Sequence, residues 1–351
     1  MIKTAVCGIG RMGLYHLAVH NKIENESDDI KIVAICDVEP HRLCGGGSAR
    51  VNLGDNTDAI DFSRYAHYTD LDEMLEKEKP DIVDIVLPTY LHCEAAVKVL
   101  KSGINCFCEK PMALNEEECR RMQEASRESG KLLMIGHCLR FWREYVFLKN
   151  CVQNGAYGAV RGAYFWRGGF QDHIKNPSWQ NWIITKEKGG GALFDQHIHD
   201  TDAINWIFGA PVTVSVLGKT VFPESAFDIV SASYVYPDKI ITALDDITYK
   251  GLPFEYGYKV NFEHATAVYS GGILTVYPEE GLPFRPDFTD MPALTADAYY
   301  NELKYFYGCV RDGRETDAIP ASESADAVMI ALAEAKSAAS GGSFTATKQK
   351  G

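Results

Sequence analysis

Three residue clusters in this 351-residue chain have types and spacings suited to chemistry. The first is Gly8-Ile9-Gly10-Arg11-Met12-Gly13, which fits G-x-G-x-x-G, follows an apolar strand-like run and opens an amphipathic helix. In that setting the glycines let the backbone turn sharply and approach a pyrophosphate, whose charge falls on the N–H groups at the helix start. Asp37 ends the next apolar run, 24 residues after Gly13. A carboxylate there accepts hydrogen bonds from adenosine ribose hydroxyls and repels a 2′-phosphate, so NAD is expected in preference to NADP. Arg42 lies close enough in sequence to contact a phosphate or stack on adenine. Read as structure alone, the glycines would only shape a tight turn and Asp37 would only cap the next one.

The second cluster is Glu109-Lys110-Pro111, at the end of the strand-like run Asn105–Cys108. Ligands bind beyond the carboxyl ends of parallel strands, where a lysine can meet both nicotinamide and substrate. The third runs from Gly189-Gly190-Gly191 into Asp195, His197, His199, Asp200 and Asp202. On a helix, Asp195 and His199 are four apart and share a face. His197 and His199 diverge by roughly 200°, so they are not expected to chelate one ion, and no metal is assigned. Trp166, Arg167, Phe170, His173 and Trp179 precede the triple glycine, where they could wall a sugar face or pack a domain interface.

These residues, in this order, resemble the Gfo/Idh/MocA family of oxidoreductases, which includes glucose-fructose oxidoreductase and inositol dehydrogenase. The resemblance rests on Gly8–Gly13, Leu87-Pro88 with His92, Glu109-Lys110-Pro111, Arg140-Phe141, the Trp179/Trp182 stretch, and Gly189–His199 with Trp206. It implies a Rossmann domain followed by an α/β domain with an open sheet, bound NAD or NADP, and a catalytic lysine, aspartate and histidine. Those roles fall on Lys110, Asp195 and His199. Pro88, His92 and Glu109 join the cofactor-binding set, and Arg140, Trp166, Arg167 and Trp179 the substrate-binding set. His197 stands where many members have glycine.

The chemistry agrees with that implication. Oxidising a secondary alcohol requires a base for the hydroxyl proton as hydride leaves the same carbon, and a histidine suits the task. Lys110 can stabilise developing charge on the oxygen, while Asp195 orients the substrate or the lysine. Glu109 fits a contact to the nicotinamide ribose or to Lys110. The expected activity is hydride transfer between NAD and a sugar, inositol or other polyol. Two alternatives remain: a glycosidase that retains NAD and acts by transient oxidation, and an NAD-sensing protein without chemistry.

The elements that must position these groups follow from periodicity. Residues 1–136 alternate short apolar runs with amphipathic stretches, which predicts βαβ units and a parallel Rossmann sheet. Residues 137–351 carry long alternating segments, which predict a large, open, mostly antiparallel sheet in a substrate-binding and oligomerisation domain. One of these strands is expected over Tyr256–Tyr269, with Tyr258, Phe262 and Val268 on a single face. The helices Ala298–Arg311 and Ser322–Ser340 are both expected on this sheet. Residues Gly45–Asp61 read as a loop or irregular helix.

Composition sets the remaining limits. A chain 46% hydrophobic and 24% charged can fold unaided, and a net charge of -13 disfavours nucleic acid. There is no apolar run near the ~20 residues of a membrane span and no secretory leader pattern, so a cytoplasmic protein is expected. The ten scattered cysteines lack any Cys-x2-Cys pair and read as reduced, packed thiols. Apolar side chains on the open sheet predict a homodimer or homotetramer.

Overall fold

The apolar runs of the N-terminal part become the strands of one sheet and the amphipathic stretches its helices. The computed structural model describes residues 1–44, 60–169, 182–291 and 293–347. Its first elements are β1 (Ile2–Cys7), α1 (Arg11–Asn25), β2 (Ile30–Cys36), β3 (Ala66–Tyr68), α2 (Leu71–Glu78) and β4 (Ile82–Ile85). Then come α3 (His92–Lys101), β5 (Asn105–Glu109), α4 (Glu116–Ser129) and β6 (Leu133–Gly136). The six strands run parallel in the order β3-β2-β1-β4-β5-β6. This order reverses beside β1, and the carboxyl ends flanking that reversal carry Gly8, Asp37, Pro88 and Lys110. Val6, Ile35, Val83 and Phe107 are fully buried, as strands covered on both faces require.

Local signals place the helix ends. Asp70 and Asn115 accept the Glu73 and Glu118 N–H groups, each at 2.9 Å, and so start α2 and α4. α4 stops at Gly130, whose φ of 65° an L side chain adopts with strain. At Gly8, φ is 100° and a Cβ would lie 2.4 Å from the Val86 carbonyl oxygen; at Gly13 a Cβ would lie 1.8 Å from the Gly8 carbonyl oxygen. Both glycines are therefore required by packing.

The second group of elements is α5 (Arg143–Asn154), β7 (Val160–Gly168), α6 (Ile198–Phe208), β8 (Thr213–Lys219), β9 (Ile229–Val235) and β10 (Ile240–Asp246). It continues with β11 (Glu255–Phe262), β12 (Ala265–Ser270) and β13 (Ile273–Pro278), then α7 (Ala298–Asp312), α8 (Ala321–Ala339) and β14 (Thr345–Ala346). Eight strands form a sheet in the order β13-β12-β11-β7-β10-β9-β8-β14, in which the β7–β10 pair is parallel and the other neighbours antiparallel. Burial alternates along β8 to β13, so one face is covered and the other open.

Three expectations change. The single strand over Tyr256–Tyr269 is a hairpin, because Glu263 and His264 turn away and donate their N–H groups to the Ala159 and Tyr157 carbonyls. Tyr258 and Phe262 are consequently buried within the chain, packed edge-on against Tyr145 and Tyr157. Val268 lies on the other face. Finally, α7 does not join α8 on the second sheet. The chain groups into two compact units, Met1–Cys138 with Asp297–Ala325 and Leu139–Ala296 with Asp326–Gly351. The expected boundary at 136/137 did not anticipate this return, in which Tyr299 packs on Tyr15 and Phe306 on Phe107. Most of the 45–61 stretch lies outside the described residues.

Two glycines separate close packing from ordinary helix propensity. Gly13→Ala should destabilise the chain by about 1–3 kcal/mol or more through overpacking. Gly308, inside α7, meets just the flexible end of Arg314 at 3.3 Å, so Gly308→Ala should stabilise by about 0.5–1 kcal/mol. Urea denaturation of both variants checks the opposite signs.

Candidate functional site

In the first unit, β1 leads through Gly8 into α1, whose N-cap is Gly10. No side chain caps this helix and no acid stands in its first turn. By contrast α2, α4 and α7 are capped by Asp70, Asn115 and Asp297. The positive end of α1 is thus left for an external anion. Asp37 is buried at the end of β2; its Oδ2 accepts the Ile9 N–H at 2.8 Å and its Oδ1 the Glu39 N–H at 2.9 Å. The carboxylate therefore ties the glycine turn to β2, and Arg42 Nη1 lies 3.3 Å from Oδ2. An uncapped helix start, a glycine cradle and a carboxylate at the adjoining strand end fit a dinucleotide. Gly8, Ile9, Gly10, Arg11, Met12, Gly13 and Asp37 would hold it.

β5 ends at Glu109, and Lys110 follows, half-buried. The Lys110 backbone N–H donates to Glu109 Oε2 at 3.1 Å. His92 is buried with Nδ1 2.8 Å from the Pro111 carbonyl and Nε2 2.8 Å from the Leu87 carbonyl, so it clamps the Lys110–Pro111 turn to the Leu87–Pro88 turn. Burial lowers the His92 pKa against the opposing pull of those two carbonyls. Its place is behind the turns rather than on their surface.

In the second unit, Gly190 and Gly191 take φ of 78° and 70° and lead into a π-helical turn over Leu193–His197, continuous with α6. From Gly189 to Ile204 every residue is buried except Asp195 and His199, which both keep partial exposure. The helix start thus presents these two, four residues apart, as its partly exposed side chains. His197 is fully buried on another side: Nδ1 lies 2.6 Å from Asp245 Oδ2 and Nε2 3.0 Å from the Tyr234 hydroxyl, with Glu334 Oε2 at 3.7 Å. Burial alone would lower its pKa, but Glu334 and then Asp245 hold it well above the ordinary value. His197 is thus a core cation rather than a ligand for substrate.

Alternation along β7 separates two residues that the sequence groups as one wall. Trp166 stacks on Tyr164, at 5.5 Å between ring centroids, on the open face. Arg167 is buried on the covered face and forks onto Asp200 of α6, with both bonds at 3.1 Å. Arg140 is also buried and forks onto Asp202, at 3.0 and 2.7 Å. Both guanidinium groups therefore face carboxylates of α6. Burial raises the Asp200 pKa even though Arg167 opposes it. Trp179, with Phe170 and His173, lies outside the described residues. Sequence reasoning missed Asp245, Tyr234 and Glu334. A signal for Asp245 was present: an acid at a covered position of an apolar alternating strand needs a buried partner.

The N-terminal residues 2–137 match the model of an oxidoreductase family with an NAD-binding Rossmann fold, and residues 145–277 match the model of the GFO/IDH/MocA C-terminal domain. Over 218 residues the chain is 30% identical to the 2,7-anhydro-N-acetylneuraminate hydratase of Mediterraneibacter gnavus, a stretch that is 62% of this chain and 52% of that relative. The chain thus spans about half the length of the curated relatives it matches at this level. Against the scyllo-inositol 2-dehydrogenase (NAD(+)) of Bacillus subtilis it is 26% identical, over 89% of this chain and 87% of that one. A solved levoglucosan dehydrogenase in complex with NADH and levoglucosan superposes with a TM-score of 0.84 at 18% identity, over 99% of this chain and 100% of that one. At that identity the likeness carries the fold alone.

The His197 cluster makes stability depend on pH. With its folded-state pKa raised, the contribution is complete below the ordinary histidine value of ~6.5 and is lost as pH rises through the raised value. His197→Ala should cost about 3–5 kcal/mol at neutral pH by stranding Asp245 and Glu334. Melting temperatures across the neutral-to-alkaline range should fall for the unmodified chain and less steeply for the variant.

Proposed function

The chain belongs to the Gfo/Idh/MocA oxidoreductase family, with its NAD-binding Rossmann fold, and from that premise we propose that it moves a hydride between NAD and a secondary hydroxyl carbon of a sugar, inositol or other polyol. The observation that carries this reading is the exposure of Asp195 and His199 alone along an otherwise buried helix start. A base and an acid kept at the surface of a well-packed turn serve a ligand better than they serve packing. When bound, NAD supplies the hydride acceptor or donor. Backbone N–H groups at Gly8–Gly13 hold its pyrophosphate, and Asp37 meets the ribose hydroxyls. Lys110 donates to the reacting oxygen as charge develops there, His199 holds the proton, and Asp195 orients the substrate or the lysine.

A second reading has a specific observation behind it. Relatives named 2,7-anhydro-N-acetylneuraminate hydratase, at 30% and 29% identity, carry a name for a reaction without net redox change. A chain that keeps NAD through a transient oxidation would share that balance. Absorbance of NADH during turnover of a panel of sugars, inositols and glycosides separates the two. Stoichiometric NADH supports the dehydrogenase, and product without NADH supports retention.

Lys110→Ala should raise the barrier by about 3–4 kcal/mol, the scale for losing one donor to developing charge. His199→Ala should lower turnover by roughly 10²–10⁴-fold. Both variants should melt near the unmodified chain, since both residues are partly exposed. Near-normal turnover in either removes its assigned role.

The cofactor and assembly readings extend the proposal. NAD should bind more tightly than NADP because Asp37 repels a 2′-phosphate; equal affinities in a fluorescence titration would refute this. Leu217, Val235, Ile240, Ile273 and Tyr277 are exposed on the open sheet face, and pairing of two such faces would cover them in a dimer or tetramer. Light scattering at micromolar concentration should give a mass above the 39.0 kDa of one chain.

A further inference from the structure

Among the described residues, a dense set of buried ionisable side chains without a role so far lies in the first unit, against β4 and β5. His16 and His20, one turn apart on α1, reach the same oxygen, Asp84 Oδ2, at 2.8 and 2.9 Å. The other nitrogen of His16, Nε2, lies 3.1 Å from Glu109 Oε1. The second oxygen of Glu109 accepts the Lys110 backbone N–H. A continuous line therefore runs from His20 through Asp84, His16 and Glu109 to the turn that carries Lys110. His20 Nδ1 closes its far end on the Tyr307 hydroxyl at 2.9 Å, which lies 2.9 Å from Thr4 Oγ1. All these side chains are buried.

The groups facing His16 come from four elements: Asp84 on β4, Glu109 on β5, Tyr299 and Glu302 on α7, and His20 on its own helix. Just one protonation state of His16 suits both of its neighbours. The imidazolium form donates to Asp84 from Nδ1 and sets its positive charge 3.1 Å from Glu109 Oε1, a charge contact without hydrogen-bond alignment, whereas a neutral ring would turn a lone pair towards one of the two carboxylates. Burial would lower the His16 pKa, but Asp84 and Glu109 outweigh it and hold it well above its ordinary value. Burial would raise Asp84, which His16 and His20 bring down to about 2. Glu302, whose two oxygens are buried without a hydrogen-bond partner, is pushed well up by burial and then by Glu109.

The sheet is also shaped around this line. Gly136 on β6 is in register with Glu109, and a Cβ there would lie 2.9 Å from Glu109 Oε1. A central parallel strand is ordinarily apolar, and a buried ion pair gives little net stability over an apolar replacement. Such an arrangement is more readily explained by what it holds in place.

We propose that His16 is a positioning residue for Lys110: as an imidazolium paired with two carboxylates, it holds Glu109 against Asp84, and Glu109 in turn fixes the Lys110 turn. The effect on turnover rests on the reading of Lys110 as the group that meets the reacting oxygen. The coupling itself is a property of the first unit and needs no substrate.

The test uses the full chain. Side-chain ¹⁵N NMR should show both ring nitrogens of His16 protonated at a pH one unit above the free-histidine value of ~6.5; a singly protonated ring there overturns the proposal. Labelling of lysines by trinitrobenzenesulfonate, read by peptide mass spectrometry, should change several-fold at Lys110 in His16→Gln and stay constant at the other lysines. Glutamine keeps a donor for one carboxylate but carries no positive charge to hold the second. Gly136→Ala moves Glu109 while leaving every buried charge in place, so it should change Lys110 labelling in the same way and serves if His16→Gln does not fold. Unaltered Lys110 labelling in a folded variant overturns the proposal. In the turnover arm, either variant should lower kcat several-fold with little change in the NAD dissociation constant. If Lys110→Ala is inactive but Lys110 labelling is unmoved in the variants, this proposal alone fails. If Lys110→Ala stays active while labelling does move, the positioning stands and the catalytic reading of Lys110 fails.

Discussion

A charge taken out of water must meet an opposite charge, and this chain encloses more of it than either sheet needs in order to form. Asp84 is met by His16 and His20, Asp245 and Glu334 by His197, Asp200 by Arg167 and Asp202 by Arg140. Each set joins residues far apart in sequence, so each fixes one element against another in a way that apolar contact alone does not. Removing a single partner strands a buried ion, which is why such sets act as units. They also lie directly behind the residues given chemical roles: Arg167 and His197 hold the helix that presents His199, and His16 backs the turn that presents Lys110.

The two units present their polar groups by different means. In the first, the groups stand where parallel strands stop, so their height is set by strand length and their spacing by sheet order. Asp37 serves the turn as well as any ligand, because its carboxylate already holds Ile9 and Glu39. In the second, a π-helical turn after three glycines replaces a strand end. Its neighbours on every side are buried, which leaves Asp195 and His199 as the accessible pair. Within the first unit, α2, α4 and α7 each have a capping side chain, whereas α1 has neither a cap nor an acid in its first turn.

Much of this was legible in the residues. Periodicity gave the parallel and antiparallel sheets, and helix ends such as Asn115 and Gly130 are of the same local kind, because capping involves neighbours along the chain. Gly8–Gly13 could be placed for the same reason, since a strand–turn–helix is read within a dozen residues. The acid within Ile82–Ile85 and the pair of histidines one turn apart on α1 were signals too, but each has meaning only beside the other. The hairpin at Glu263 escaped notice because alternation continues through it, and the turn is made by bonds to Tyr157 and Ala159 about a hundred residues away.

What the sequence determined by itself, then, was whatever depends on near neighbours along the chain: which segments alternate as strands or turn as helices, and which side chains share a face within one unbroken element. Tertiary structure decided which polar groups are paired and which are left accessible. Arg167 and Trp166 differ by one position, yet one is enclosed against Asp200 and the other stacks on the open face. His197 and His199 differ by two, yet one is a core cation and the other is partly exposed. The physical reason is that burial and electrostatic pairing are set by distance in space, and α7 meets β5 across nearly two hundred residues of intervening chain.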